Sequence, residues 1–133
     1  LLIVVAIILI IATIAIPSLL RSRQSANETS AVANLRTLNT AQVSYSSANG
    51  GNYGNMTDLV AGRLADSRFT AGSVSGYSYT VDLSGNSLDY TMYATAISPN
   101  SGRYDYYSTP DYVIRYSTAA TRAPSGLNGE PVR

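Results

Sequence analysis

Leu1 to Ile16 reads LLIVVAIILIIATIAI, a run in which Thr13 is the single polar side chain and twelve of the sixteen residues are Leu, Ile or Val. A helix apolar on every face has no side to turn to water. At about 1.5–3 kcal/mol per large aliphatic side chain, exposing those residues would cost on the order of 20–35 kcal/mol, more than a small domain's whole stability. The segment therefore needs lipid or other protein around it. It falls short of the roughly 20 residues that span a bilayer. It also opens without a charged flank or an initiator Met, so a few further residues are expected ahead of Leu1. Three fates fit such a run: a buried core helix, the remnant of a signal peptide or simple anchor, or a segment that moves from a membrane into an assembly.

The residues after Pro17 favour the third. A secretory signal ends at a small-residue cleavage site and gives way to unrelated sequence, whereas here a helical pattern resumes at once. Ala31, Leu35, Leu38, Gln42 and Tyr45 are spaced to fall on one helix face, with Leu19, Leu20 and Val32 alongside and Asn27, Arg36, Thr37, Thr40 and Ser44 opposite. The helix is expected to run to Ala48 and stop at Gly50-Gly51. At 1.5 Å per residue such an element is about 70 Å long, about twice the width of a domain this size, so half of it must project. Pro17 is the expected kink, since proline removes one hydrogen bond and crowds the carbonyl four residues back.

Beyond the helix the pattern shortens. Residues 51–76 read as a Gly- and Asn-rich connection with one short helix near Thr57–Ala65, capped by Thr57 or Asp58 and packing as a lid between the long helix and a sheet. Alternation in Tyr77–Leu83 and Leu88–Ala96, around Ser84-Gly85-Asn86-Ser87, predicts a β-hairpin. Arg103–Ser108 and Val113–Thr118, around Pro110-Asp111, predict a second. The fold class is thus α+β: a long N-terminal helix with its apolar half protruding, packed against a small antiparallel sheet of about four strands. The chain divides into the helix (1–50, with 1–16 apolar and 17–50 amphipathic), the connection (51–76), the sheet (77–118) and a Pro-, Gly-, Ser- and Ala-rich tail (119–133) that wraps a neighbour or remains loose.

Composition narrows the chemistry. The 133 residues are 45% hydrophobic and only 13% charged, against roughly 25% charged in an ordinary soluble domain. His, Cys, Trp and Lys are absent, and nine Arg face eight acids for a net charge of +1. The usual general bases, thiol nucleophiles, Schiff-base lysines, disulfides and soft-metal ligands are therefore missing, which argues against an enzyme and against any cofactor. A near-neutral chain gives no basis for specific nucleic-acid binding. Asp105 and Asp111 are carboxylates that a hairpin could bring together, for glycoside chemistry or for calcium, but turn and edge solubility explains them more simply. Arg21 and Arg23, just past the apolar run, suit lipid headgroups before assembly or a neighbour's acid such as Glu28 afterwards; a solvated helix face explains them equally well. Asn27-Glu28-Thr29 and Asn55-Met56-Thr57 match the short N-glycosylation pattern. The eleven Tyr fit strands and interfaces, and the first of them, Tyr45, lies well beyond the apolar run.

The run LLIVVAII followed by IIATIAIP, then an Ala- and Ser-rich amphipathic helix and a small Tyr-rich β region, closely resembles the type IV pilins and the pseudopilins of type II secretion. The motif covers Leu1 to Pro17; AVANLRTLNTAQVSY (Ala31 to Tyr45) and VIRYST (Val113 to Thr118) extend the likeness more loosely. The resemblance implies a structural subunit that sits in the inner membrane before assembly and then polymerises into an extracellular, cell-surface filament. Leu1, Leu2, Ile3, Val4, Val5, Ile7, Ile8, Leu9, Ile10, Ile11, Ile14 and Ile16 would pack in its core. Its partners would be identical copies and a pilus or secretion assembly machinery. The alternatives are a pseudopilin or a membrane-anchored binding module. Family members begin with a methylated residue and a short segment containing a Glu; both would precede Leu1. They also often carry Gly where this chain has Leu9, so local unwinding within Leu9–Pro17 of a filament would rest on Pro17 and on the β-branched Ile10, Ile11, Thr13, Ile14 and Ile16.

Overall fold

The computed structural model of the chain describes residues 1–118 and 129–132, so the expectation for the tail lies, apart from its last few residues, outside the described residues. One helix, α1, runs from Leu2 to Ala48 over 47 residues, which at 1.5 Å per residue is about 70 Å. Pro17 lies inside it and does not end it. Leu9–Pro17 is helical in the single chain; the expected unwinding concerns the packed filament. The C-terminus falls as the sequence indicates. The Ser46 carbonyl accepts from the N–H groups of Asn49 and Gly51 at 3.2 and 2.9 Å. Gly50 and Gly51 then turn the chain away at φ of +67° and +94°, a region open to glycine at little cost.

The stripe predicted on α1 is the one that packs. Ala31, Leu35, Leu38 and Gln42 are fully buried, and Tyr45 is partly buried against the same core. Leu19 and Leu20 are not part of that face: they are 56% and 38% exposed, and among the described residues the first side-chain tie from α1 to the sheet region comes at Gln24, whose amide donates to the Pro99 carbonyl at 2.9 Å. Three further helix residues outside the predicted stripe, Glu28, Asn39 and Ala41, are also buried.

The connection carries a shorter helix than expected, α2 at Met56–Ala61, with Met56 and Leu59 buried. Its cap is Asn55, not Thr57 or Asp58. The Asn55 side chain accepts from the Asp58 N–H at 2.9 Å, while the Asp58 carboxylate accepts from the Asn55 N–H at 3.0 Å. This reciprocal pair satisfies two otherwise orphaned donors. A 3₁₀ turn comes next, at Ser67–Phe69, and sets the Phe69 ring edge-on to Tyr79 at 5.0 Å.

The sheet has six strands: β1 (Ser73–Val74), β2 (Tyr77–Leu83), β3 (Tyr90–Ala96), β4 (Tyr104–Ser108), β5 (Ile114–Thr118) and β6 (Glu130–Pro131). Every neighbouring pair is antiparallel, and the spatial order is the chain order. The four longer strands are those of the two predicted hairpins. β1 and β6 are two-residue strands added at the two edges, too short to show a period. β3 alternates strictly, burying Tyr90, Met92, Ala94 and Ala96, as expected of a strand with one face on a core. β4 instead buries four consecutive residues, Asp105 to Ser108.

Candidate functional site

The feature most exposed to a partner is the N-terminal half of α1. Within Leu1–Ile16 the twelve Leu, Ile and Val side chains are between 46% and 99% exposed. An 18-residue window of the helix reaches a mean hydropathy of 3.0, with none of it buried. A soluble protein's core helix can be as apolar, but it is covered by its own chain; this one is not. Taken with the helical residues that follow Ile16, α1 is by length and composition able to cross a membrane, and so compatible with insertion into one. Pro17 is exposed just beyond the run, and the Thr13 hydroxyl is turned back onto the Ile10 carbonyl at 2.7 Å, which removes a polar group from the apolar surface.

The helix then enters the sheet through a series of polar ties. Glu28 is buried at 7% exposure. One of its carboxylate oxygens accepts from the Arg103 backbone N–H at 2.8 Å and from Nε at 3.1 Å; the other accepts from Nη2 at 3.1 Å. Such a paired, forked contact satisfies a buried carboxylate and fixes its direction. Glu28, expected as an acid for a neighbour's arginine, thus has an intrachain partner supplied by the residue just before β4. Asn27 donates to the Ser101 carbonyl at 2.9 Å. Further along the helix, the Asn39 amide donates to the Ser108 hydroxyl at 2.8 Å and accepts from the Tyr90 hydroxyl at 3.0 Å. Gln42 closes the series, donating to the Gly54 carbonyl at 2.6 Å and accepting from its N–H at 3.1 Å. These ties join the second half of the helix to the domain from Glu28 to Gln42. Glu28 continues the stripe three residues before Ala31 and Asn39 lies four after Leu35, so their face is legible in the spacing; their partners are not, since each depends on which strand or loop faces it.

Arg21 and Arg23 are exposed beneath the sheet. The described ion pairs are Arg68 with Asp66, Arg103 with Glu28 and Arg115 with Asp111, so neither Arg21 nor Arg23 has an acid partner among the described residues. The two candidate carboxylates are committed separately. Asp105 is buried in β4 and accepts from the Ala96 N–H at 2.9 Å. Asp111 accepts from the Thr109 hydroxyl and the Val113 N–H at 2.8 and 3.1 Å and pairs with Arg115 at 2.8 Å. No group of three or more His, Cys, Asp or Glu residues able to hold a metal ion occurs among the described residues. Of the glycosylation-type asparagines, Asn27 is bonded as described and Asn55 caps α2 from an exposed position.

The tyrosines gather on the sheet. Tyr104 and Tyr106 lie with Tyr116 at ring separations of 5.1 and 6.5 Å, tilted by 59° and 56°. They line a hollow of about 360 Å³ together with Glu130, Pro131 and Val132. A comparison with known proteins finds no family model that matches this chain and no curated protein that matches it.

Proposed function

We propose that this chain is a structural subunit that polymerises through its apolar N-terminal helix into an extracellular filament of the type IV pilus kind, after residing in the inner membrane. One observation carries the reading: a single unbroken helix of 47 residues whose first half is exposed, with none of the described residues burying it, and whose second half packs into the core of the domain. An apolar surface on all sides of a rod suits lipid first and then several neighbouring rods. A simple anchor needs no rigid joint to what it carries. A polymer does, since each domain must be held at a fixed position relative to its packed rod, and the Glu28, Asn39 and Gln42 ties supply that rigidity. Repeating one heterologous contact without closure gives an open helix.

The test is Ile8→Asp in a cell that carries the assembly machinery. A charge at the middle of an apolar rod costs about 2.5–3.5 kcal/mol in a membrane and more in a dry core. The expected result is helical fibres in electron micrographs for the unmodified chain and none for Ile8→Asp, whose subunits stay in the membrane or are degraded. Abundant normal fibres from Ile8→Asp would overturn the reading, as would an unmodified chain that stays monomeric.

A further inference from the structure

We propose that the groove between α1 and the β4–β5–β6 edge receives the Arg21–Arg23 stretch of a second copy's α1, one guanidinium seating among Tyr104, Tyr106 and Tyr116 beside Glu130. The proposal rests on the filament reading above and names the residues of one of its contacts.

Two hollows make the groove. One, of about 360 Å³, is the tyrosine hollow; the other, of about 350 Å³, runs along the α1 face from Ser25 to Arg36. Tyr106 and Val132 line both, so the two are continuous and one wall is itself a helix. A second helix laid alongside fits such a trough. The tyrosine rings are tilted by 59° and 56°, which makes them a recess and not a flat stacking platform. Tilted aromatic recesses suit organic cations, whose charge is drawn to ring faces. This cluster already holds one: the Arg103 guanidinium lies 5.3 Å from the centre of the Tyr104 ring.

Charge selects the guest. Arg21, Arg23, Arg36 and Arg63 have no ion-pair partner among the described residues, and Glu130, exposed at the tyrosine hollow, has none there either. Glu28 is taken by Arg103, so an arriving arginine finds its open carboxylate at Glu130. Arg36, at the far end of the second hollow, repels a guest from that end and favours the tyrosine end. The geometry is compatible with parallel packing. Arg21 and Arg23 precede Glu28 by seven and five positions, about 8–10 Å along a helix. Two parallel copies offset by that step bring the arginines of one level with Glu28 of the other, and hence with the Arg103–Tyr104 corner bound to it. Being two residues apart, the arginines point to nearly opposite sides of the helix, so one faces the groove.

The chain has no cysteine, which makes chemical cross-linking clean. Glu130→Cys is combined in one chain with Arg21→Cys or with Arg23→Cys, and intact filaments are treated with a short bis-maleimide. That reagent is chosen because an Arg–Glu contact holds backbones farther apart than the roughly 4.4–6.8 Å of a disulfide. The expected result is a ladder of covalent multimers for one of the two combinations, and monomers when Asp82→Cys on the distant β2–β3 hairpin replaces Glu130→Cys. Fibres that give monomers with both Glu130→Cys combinations, or a ladder of equal strength with Asp82→Cys, would overturn this contact and leave the filament reading standing. An unmodified chain that forms no fibres would remove both.

Discussion

Gly102, just before β4, has no room for a side chain: a Cβ there would overlap the hydroxyl and ring of Tyr77. That hydroxyl donates to the Tyr104 carbonyl at 2.6 Å, beside the Glu28–Arg103 pair. Gly102→Ala is therefore expected to displace Tyr77 and lower stability by about 1–3 kcal/mol, read as a fall in the thermal unfolding midpoint in detergent; an unchanged midpoint would refute the clash. Asp111 supplies a pH signature. Burial opposes its charge, but hydrogen bonds from Arg115, Thr109 and Val113 outweigh burial and hold its carboxyl below the ordinary value of 3.8. A lowered folded value means stability that is present above pH 3.8 and is lost as pH falls below it toward the folded value. Acid titration of unfolding should show this loss, and Asp111→Asn should weaken the domain at neutral pH while flattening the acid limb. The role of Glu28 is not legible in the sequence, because its partner Arg103 is far off in the chain and is brought to it by loop path; the partners of Asp111 are its chain neighbours, but which of them it meets depends on how the turn folds. The turn position of Asp111 is legible from Pro110-Asp111; its ion pair with Arg115 four residues on is not.

Elements are easier to read where their period is long. The Ala31–Tyr45 stripe repeats over several turns and marks the buried face of α1, and the glycine pair after Ala48 ends it where expected. The strands of the two hairpins run over five to seven residues and fall within a residue or two of their predicted bounds. α2 starts earlier than its sequence suggests because Asn55 caps it through a reciprocal contact with Asp58, a role that Thr57 and Asp58 imitate in sequence. β1 and β6, at two residues each, carry no pattern at all and exist only because a longer strand offers them an edge. The two halves of α1 should respond differently to the same substitution. Leu35→Ala, in a fully buried position, should cost about 2–5 kcal/mol. Leu19→Ala, at 56% exposure below the domain, should leave the unfolding midpoint of the detergent-solubilised chain unchanged. Equal losses at both sites would contradict the division of α1 into a core half and a free half.

At the scale of the whole molecule, the low charge and high apolar content separate into two bodies. The apolar excess sits in a rod that the described residues leave bare, and the remainder is a small α+β domain whose polar ties run mainly to that rod's far half. The division is visible in the first sixteen residues, whose apolar side chains on every face leave no side for water. The groove beside β6 is not, because it depends on Glu130 returning to the edge of β5. The strand order carries one more consequence. Each strand pairs with the strand next to it in the chain, from β1 to β6, so no segment has to pass through or around another to complete the sheet. Short closures of this kind cost little entropy and form quickly. A chain whose first residues were held in a bilayer could therefore zip its sheet onto the fixed helix in the order in which it emerges, with no need for a free N-terminus.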